Sequence, residues 1–206
     1  MNLAIPIRTL GLFATGVAFL GLEITTSPMA LIGRYSESLR PLAELWNQVG
    51  ATIGITIFIV LGIVGSWHGF RQTFAMFTVC ISTVGVVAQL LKHMIGRARP
   101  GSLSGATHFF GPFAWFNVDR AVRVDSMPSG HTAAAFAMAV ALSWRWPNLG
   151  YLWYTLAIGV GVSRVITNAH FPSDVIFGAV VGFATSTIVL SLFKSLPPSA
   201  RRTCDS

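Results

Sequence analysis

The sequence predicts an all-α fold: an integral membrane bundle of six transmembrane helices, forming one domain over residues 1–206. Three observations carry that expectation. Of the 206 residues, 53% are hydrophobic and 10% charged, with a mean hydropathy of +0.65. A soluble domain carries about a quarter charged residues, so this chain has too little polar surface for water. Six apolar stretches, at 5–22, 50–67, 72–91, 131–146, 150–167 and 174–193, approach the length that crosses the hydrocarbon. Their flanks fit a bilayer, with Arg8, Arg71, Lys92, Arg145 and Lys194 near segment ends and Trp67, Trp144, Trp146, Tyr151 and Trp153 near the interfaces. The same figures exclude disorder, a coiled coil and a disulfide-rich secreted module.

Taken in order, the first stretch superficially resembles a secretory signal, because Arg8 precedes an apolar run and Gly16-Val17-Ala18 is small. The apolar run continues to Ile24, however, and its loss would leave the termini on opposite sides, so it reads as a retained helix. Residues 23–49 form a loop holding Glu23, Arg34, Glu37, Arg40 and Glu44 around Pro28 and Pro41. Gly50-x-x-x-Gly54 in the second stretch and Gly178-x-x-x-Gly182 in the sixth can bring helices close together. The third stretch holds Cys80; Cys204 lies in the polar tail, and without a Cys-x-x-Cys pair both read as inert thiols. The loop 92–130 is long enough to carry function. It contains the aromatic run His108 to Phe116, then Asp119, Arg120, Arg123 and Asp125. The fourth stretch is the shortest and begins with a polar Gly-His-Thr, which is tolerable where that end faces protein or water.

The net charge is +7, and the basic residues lie between apolar segments. That placement points to an anionic lipid surface or an anionic substrate rather than nucleic acid. Basic residues divide almost evenly between the two sides, leaning slightly toward cytoplasmic termini.

Ionisable groups beside membrane spans are functional candidates, and here they gather at one face. Helix direction puts Lys92 and Arg99 after span three, Ser129, Gly130 and His131 at the start of span four, Arg164 at the end of span five, and His170 and Asp174 at the start of span six. Three cations, two imidazoles and a carboxylate suit a phosphoryl group: charge to neutralise its oxygens, a nucleophile, and an acid for the leaving group. Ser129 can cap a helix whose first N–H groups, at Gly130 and His131, hold an anion. Asp174 follows His170 by four residues and can accept from its Nδ1–H, leaving Nε2 basic.

Lys92-x6-Arg99-Pro100, Pro128-Ser129-Gly130-His131 and Ser163-Arg164-x5-His170-x3-Asp174, in that order, resemble the signature of the type 2 phosphatidic acid phosphatase superfamily without substitution. The motifs cover residues 92–174, and the six-span layout extends the likeness over nearly the whole chain. The resemblance implies a membrane lipid phosphatase. In it His170 is the nucleophile that forms a phosphohistidine, Asp174 orients it, and His131 is the general acid and later the base. Lys92, Arg99 and Arg164 form the phosphate clamp, assisted by Ser129 and the Gly130 N–H. It implies no cofactor and no metal, the cations doing the work of Mg²⁺, and Asp119, Asp125 and Asp174 make no spaced ligand set. It also implies a bacterial inner membrane with the site facing the periplasm. Phosphatidic acid, phosphatidylglycerol phosphate, undecaprenyl diphosphate and lipid A all fall within the family's range, and the motifs do not separate them. Phosphotransfer to a second lipid, and lipid-phosphate binding or transport by an idle site, stay open beside hydrolysis.

Each piece has a plainer reading: Lys92 and Arg99 as interfacial anchors, Ser129 as a cap, Asp174 as a favourable charge at a helix start, His170 as a structural histidine. All would have to hold at once, at fixed spacing on one face. Elsewhere the plainer reading prevails. His93 points away from Lys92 and has no assigned partner, while His68 and His108 are interfacial. The run Phe109 to Phe116 reads as a membrane-surface anchor or lid. Arg97, Arg120 and Arg123 read equally as headgroup contacts or solvated loop charges.

Overall fold

The computed structural model describes residues 14–18, 20–21, 36–46, 48, 60, 71–100, 102, 107–119 and 121–195. The Gly50/Gly54 pair, His68, Arg120 and Cys204, and the span expected at 50–67 apart from residue 60, lie outside them. The described residues form α1 (Arg71–Ile95), a short α2 (Ala114–Asn117), α3 (Gly130–Arg145), a 3₁₀ turn (Pro147–Leu149), α4 (Gly150–Ile166) and α5 (Pro172–Ser195). No strand occurs among them; an isolated antiparallel bridge pairs Arg97 with Phe109.

Among the described residues, three helical stretches are long and apolar enough to cross a bilayer: Phe74–Ile95, Pro147–Ile166 and Pro172–Ser195. The 16 residues of α3 are fewer than the ~20 a span requires. Its length follows from its place. It is the hub, packed against α1, α4 and α5, and its polar first turn buries Thr132 while leaving His131 exposed.

Small residues make that packing possible. Ala133, Ala137 and Ala141 repeat every fourth residue along α3 and are fully buried, a stripe that lets neighbouring backbones approach. On the facing helix, a Cβ at Gly178 would stand 2.6 Å from the Ser129 carbonyl oxygen, and one at Gly182 would overlap the Ala133 carbonyl. The Gly178/Gly182 spacing thus sets α5 backbone-to-backbone on α3. Around this seam sit Met76, Cys80, Val140, Val189 and Leu190 in one cluster, and Phe77, Ala141 and Leu142 in another.

Two segments depart from expectation. The loop expected over 23–49 contains helix at 36–46 and 48. Its charged residues and Pro41 read as loop, yet Arg40 and Glu44 pair one turn apart at 2.9 Å. Leu39, Leu42, Ala43 and Trp46 repeat at helical spacing. Trp46 lies over Gly159 of α4. The aromatic run does not float free of α1 either. Gly96 takes a positive φ of 57° and any side chain there would overlap the Gly111 carbonyl. Across this turn Phe110 N–H donates to the Gly96 carbonyl and Ala98 N–H to that of His108. His93, expected without a partner, stacks on Trp115 with ring centroids 4.8 Å apart.

Candidate active site at one end of the bundle

The C-terminal ends of α1 and α4 meet the N-terminal ends of α3 and α5. Lys92, in the last turn of α1, is buried, and its Nζ would stand 3.7 Å from a Cβ at Gly130. The first two motifs therefore touch. The second and third are joined by backbone: Ser129 N–H donates to the Asp174 carbonyl at 2.9 Å. Ser129 occupies the N-cap position of α3, but its side chain does not cap the helix. Its Oγ accepts instead from Thr132 Oγ1 at 3.0 Å, which corrects the capping expectation. His131 stands on the first turn of α3, on the exposed side, within electrostatic reach of Arg164, His170, Lys92 and Arg99.

His170 lies in the turn between α4 and α5 and is 1% exposed. Its N–H donates to the Arg164 carbonyl, tying it to the last turn of α4. Burial pushes the imidazole below its ordinary value, and the charges of Arg99 and Arg164 act with it; Asp174 opposes them without cancelling them. The ring is neutral at pH 7, the state a nucleophilic nitrogen needs. The expected bond from Nδ1 to Asp174 is not made: Nδ1 stands 3.7 Å from Oδ2, beyond hydrogen-bond reach. The reason is competition. Asp174 Oδ1 accepts from Arg97 Nη1 at 2.5 Å, and Oδ2 accepts from Ser126 Oγ at 2.5 Å and from Phe171 N–H at 3.0 Å.

Arg97 is the residue that sequence reasoning missed. Expected among solvated or headgroup-facing loop charges, it is 0% exposed and ion-paired with an equally buried Asp174. Its Nη1 also donates to Ser173 Oγ at 2.6 Å, and its Cζ lies 4.1 Å above the Phe171 ring. A signal for it existed. A carboxylate at the foot of an apolar helix needs a buried cation, and the clamp had claimed Lys92, Arg99 and Arg164, leaving Arg97 unassigned.

Arg99 grips Asp125 with two bonds, Nε to Oδ1 at 2.8 Å and Nη2 to Oδ2 at 2.7 Å, and Arg123 adds a third at 3.2 Å. Burial alone would raise the Asp125 carboxyl; its bonds to Arg99 and the charges of Arg99, Arg123 and Lys92 outweigh that and bring it down to about 2. Arg164 has a buried Nε with no hydrogen-bond partner among the described residues. An anion held between these guanidinium groups would satisfy it. Arg99 and Arg164 also line a cleft of about 670 Å³, together with Glu44, Gln48, Arg123 and Asn168. Ala169 lines this cleft and the adjacent His170 does not.

The site therefore brings Lys92, Ser129, Gly130, His170 and Asp174 into one network, and sets Arg99 and Arg164 beside it on the cleft. Chains with similar sequence and fold are known. Lipid A 1-phosphatase of Rhizobium johnstonii is 35% identical over 147 residues, which are 66% of this chain and 57% of that protein. The chain thus spans less than two thirds of the length of the curated relatives it matches first. Among solved structures, a transmembrane PAP2-type phosphatidylglycerolphosphate phosphatase from Bacillus subtilis aligns over 92% of this chain and 98% of its own, with a TM-score of 0.62 at 19% identity. LpxE of Aquifex aeolicus aligns over 74% and 86%, with a TM-score of 0.56 at 23% identity. The model of the PAP2 superfamily matches residues 72–197, from the start of α1 to the end of α5. Its span takes in all three motifs and every helix that carries them, and the chain belongs to the PAP2 superfamily.

Proposed function

We propose that the chain is a membrane lipid phosphatase that removes the terminal phosphate of an amphiphilic lipid through a phosphohistidine on His170, without a metal. The observation that carries this reading is a buried imidazole, His170, where the three motifs meet, with Lys92 and Arg99 supplied by the first and Arg164 by the third. Lys92, Arg99 and Arg164, with Ser129 and the Gly130 N–H, bind the phosphate oxygens. His170 Nε2 attacks phosphorus, the bond from phosphorus to the lipid oxygen breaks, and His131 donates a proton to the departing alkoxide. His131 then takes a proton from water, whose oxygen displaces the imidazole and releases inorganic phosphate. Asp174 stabilises the positive ring that exists between the two steps. In this reading one domain of six spans places the site at the periplasmic face of a bacterial inner membrane, and lipid arrives laterally. The similarity to a protein named lipid A 1-phosphatase supports testing lipid A first, beside phosphatidylglycerol phosphate, phosphatidic acid and undecaprenyl diphosphate.

The test is phosphate release by detergent-purified protein in EDTA, across those four lipids, beside His170→Ala. Release that survives chelation and vanishes in the variant, while lipid binding persists, supports the reading. Undiminished turnover by His170→Ala overturns it.

A further inference from the structure

We propose that Arg97 is a positioning residue that acts through Asp174 to set the proton affinity of His170; the inference rests on the phosphatase reading for its kinetic readout alone. Three bonds close a ring around the carboxylate. Arg97 Nη1 donates to Oδ1, Ser126 Oγ donates to Oδ2, and Ser126 N–H donates to the Arg97 carbonyl at 3.0 Å. Arg97 also covers the Phe171 ring and bonds Ser173, so it grips the whole turn that carries His170. Its own place is fixed from behind, where the Phe109 ring faces Cζ at 5.2 Å and the Arg97–Phe109 bridge pins the backbone.

The electrostatic consequence follows from charge. A bare carboxylate 3.7 Å from an imidazole would favour its protonated form. With Arg97 paired to it, Asp174 presents a largely compensated charge, and His170 stays neutral. The other groups facing His170 are Arg99 on the loop after α1, Arg164 on α4 and His131 on α3, while Lys92 on α1 faces Asp174. Every one of these except Asp174 is cationic or becomes so on protonation, and all act in the direction of Arg97. Arg97 differs in that its charge sits directly on the carboxylate.

The experiment reads His170 by NMR of ¹⁵N-histidine-labelled full-length protein in detergent, assigned with His170→Ala, beside the pH profile of kcat/KM. In Arg97→Met the His170 midpoint rises by about one pH unit. The acidic limb of kcat/KM moves with it, and kcat falls roughly tenfold or more while KM changes little. Arg97→Lys, which keeps the charge and loses the fork, lies between. A folded Arg97→Met with an unmoved midpoint overturns the proposal, whatever its rate. Ser126→Ala removes one neutral donor from the same carboxylate and leaves the Arg97–Asp174 pair intact, so no buried charge loses its partner. It decides the matter if Arg97→Met does not fold: a raised midpoint supports the proposal and an unmoved one overturns it. A wild-type protein that releases no phosphate would sink the phosphatase reading, and the NMR midpoints would still test Arg97.

Discussion

At His170 two influences oppose each other, and burial prevails over the nearby carboxylate. The folded imidazole therefore titrates below the 6.5 of an unperturbed histidine. In a pH profile of kcat/KM, the acidic limb is expected to fall below pH 6.5. A limb at or above that value would contradict a buried neutral nucleophile. Stability has the same sign. The unfolded chain takes up this proton first, so the contribution is present above the unfolded value and is lost as pH drops through the folded one. At the other end of the site, Asp125 holds Arg99 in a two-point grip. Asp125→Asn is expected to raise KM for the lipid phosphate by roughly tenfold, the worth of one to two kcal/mol of lost orientation, with a smaller change in kcat. These residues differ in how openly the sequence shows them. Lys92, Arg99, Ser129, His131, Arg164, His170 and Asp174 stand at fixed spacings that chemistry can interpret. Arg97 does not, because nothing in the spacing distinguishes this fully buried arginine from the largely exposed Arg123; only the need of a carboxylate at the foot of α5 for a cation points to it. The missing Nδ1 contact to Asp174 was hidden for the same reason: spacing says which groups meet, and the competition for two carboxylate oxygens is settled by a residue 77 positions away.

Among the helices, α3 and α5 make the contact that matters most, since both begin in the site and they touch through backbone at Gly178 and Gly182. Adding even a methyl group there forces the axes apart. Gly182→Ala is expected to destabilise the protein by about 1–3 kcal/mol through overpacking, seen as a lower Tm in detergent. Gly178→Ala should also cut activity more than Gly182→Ala does, because its Cβ would press on Ser129 itself. Similar losses of activity from the two variants would argue that the seam supports the fold alone. The helices α1, α3, α4 and α5 were legible from apolar run length, with ends near those expected. The helix at 36–46 was not, because a proline and alternating charges mask a short amphipathic period.

For the molecule as a whole, side chains such as Val86, Leu90, Ile158 and Leu192 point outward and are more than half exposed. They form an apolar coat that water does not tolerate in such quantity. The protein should accordingly stay in the membrane fraction through alkaline carbonate extraction. The two native cysteines probe its orientation. Cys80 is fully buried in α1, so a membrane-impermeant maleimide should leave it unlabelled from either side. Cys204 should react from the cytoplasmic side if six spans hold both termini there. Labelling of Cys204 from the outside of intact cells would reverse that orientation.

The backbone seam between α3 and α5 has a consequence for how such a molecule can be retargeted. A floor fixed by carbonyl contacts tolerates no adjustment to a new lipid, so variation has to enter through the walls. Those walls include Ser102 and Ala121 of the long loop and Glu44 and Gln48 of the helical segment before α1, which line the cleft beside Arg99 and Arg164. Exchanging those two segments between relatives, with the helices and Arg97 untouched, should transfer lipid preference while the chemical step keeps its rate.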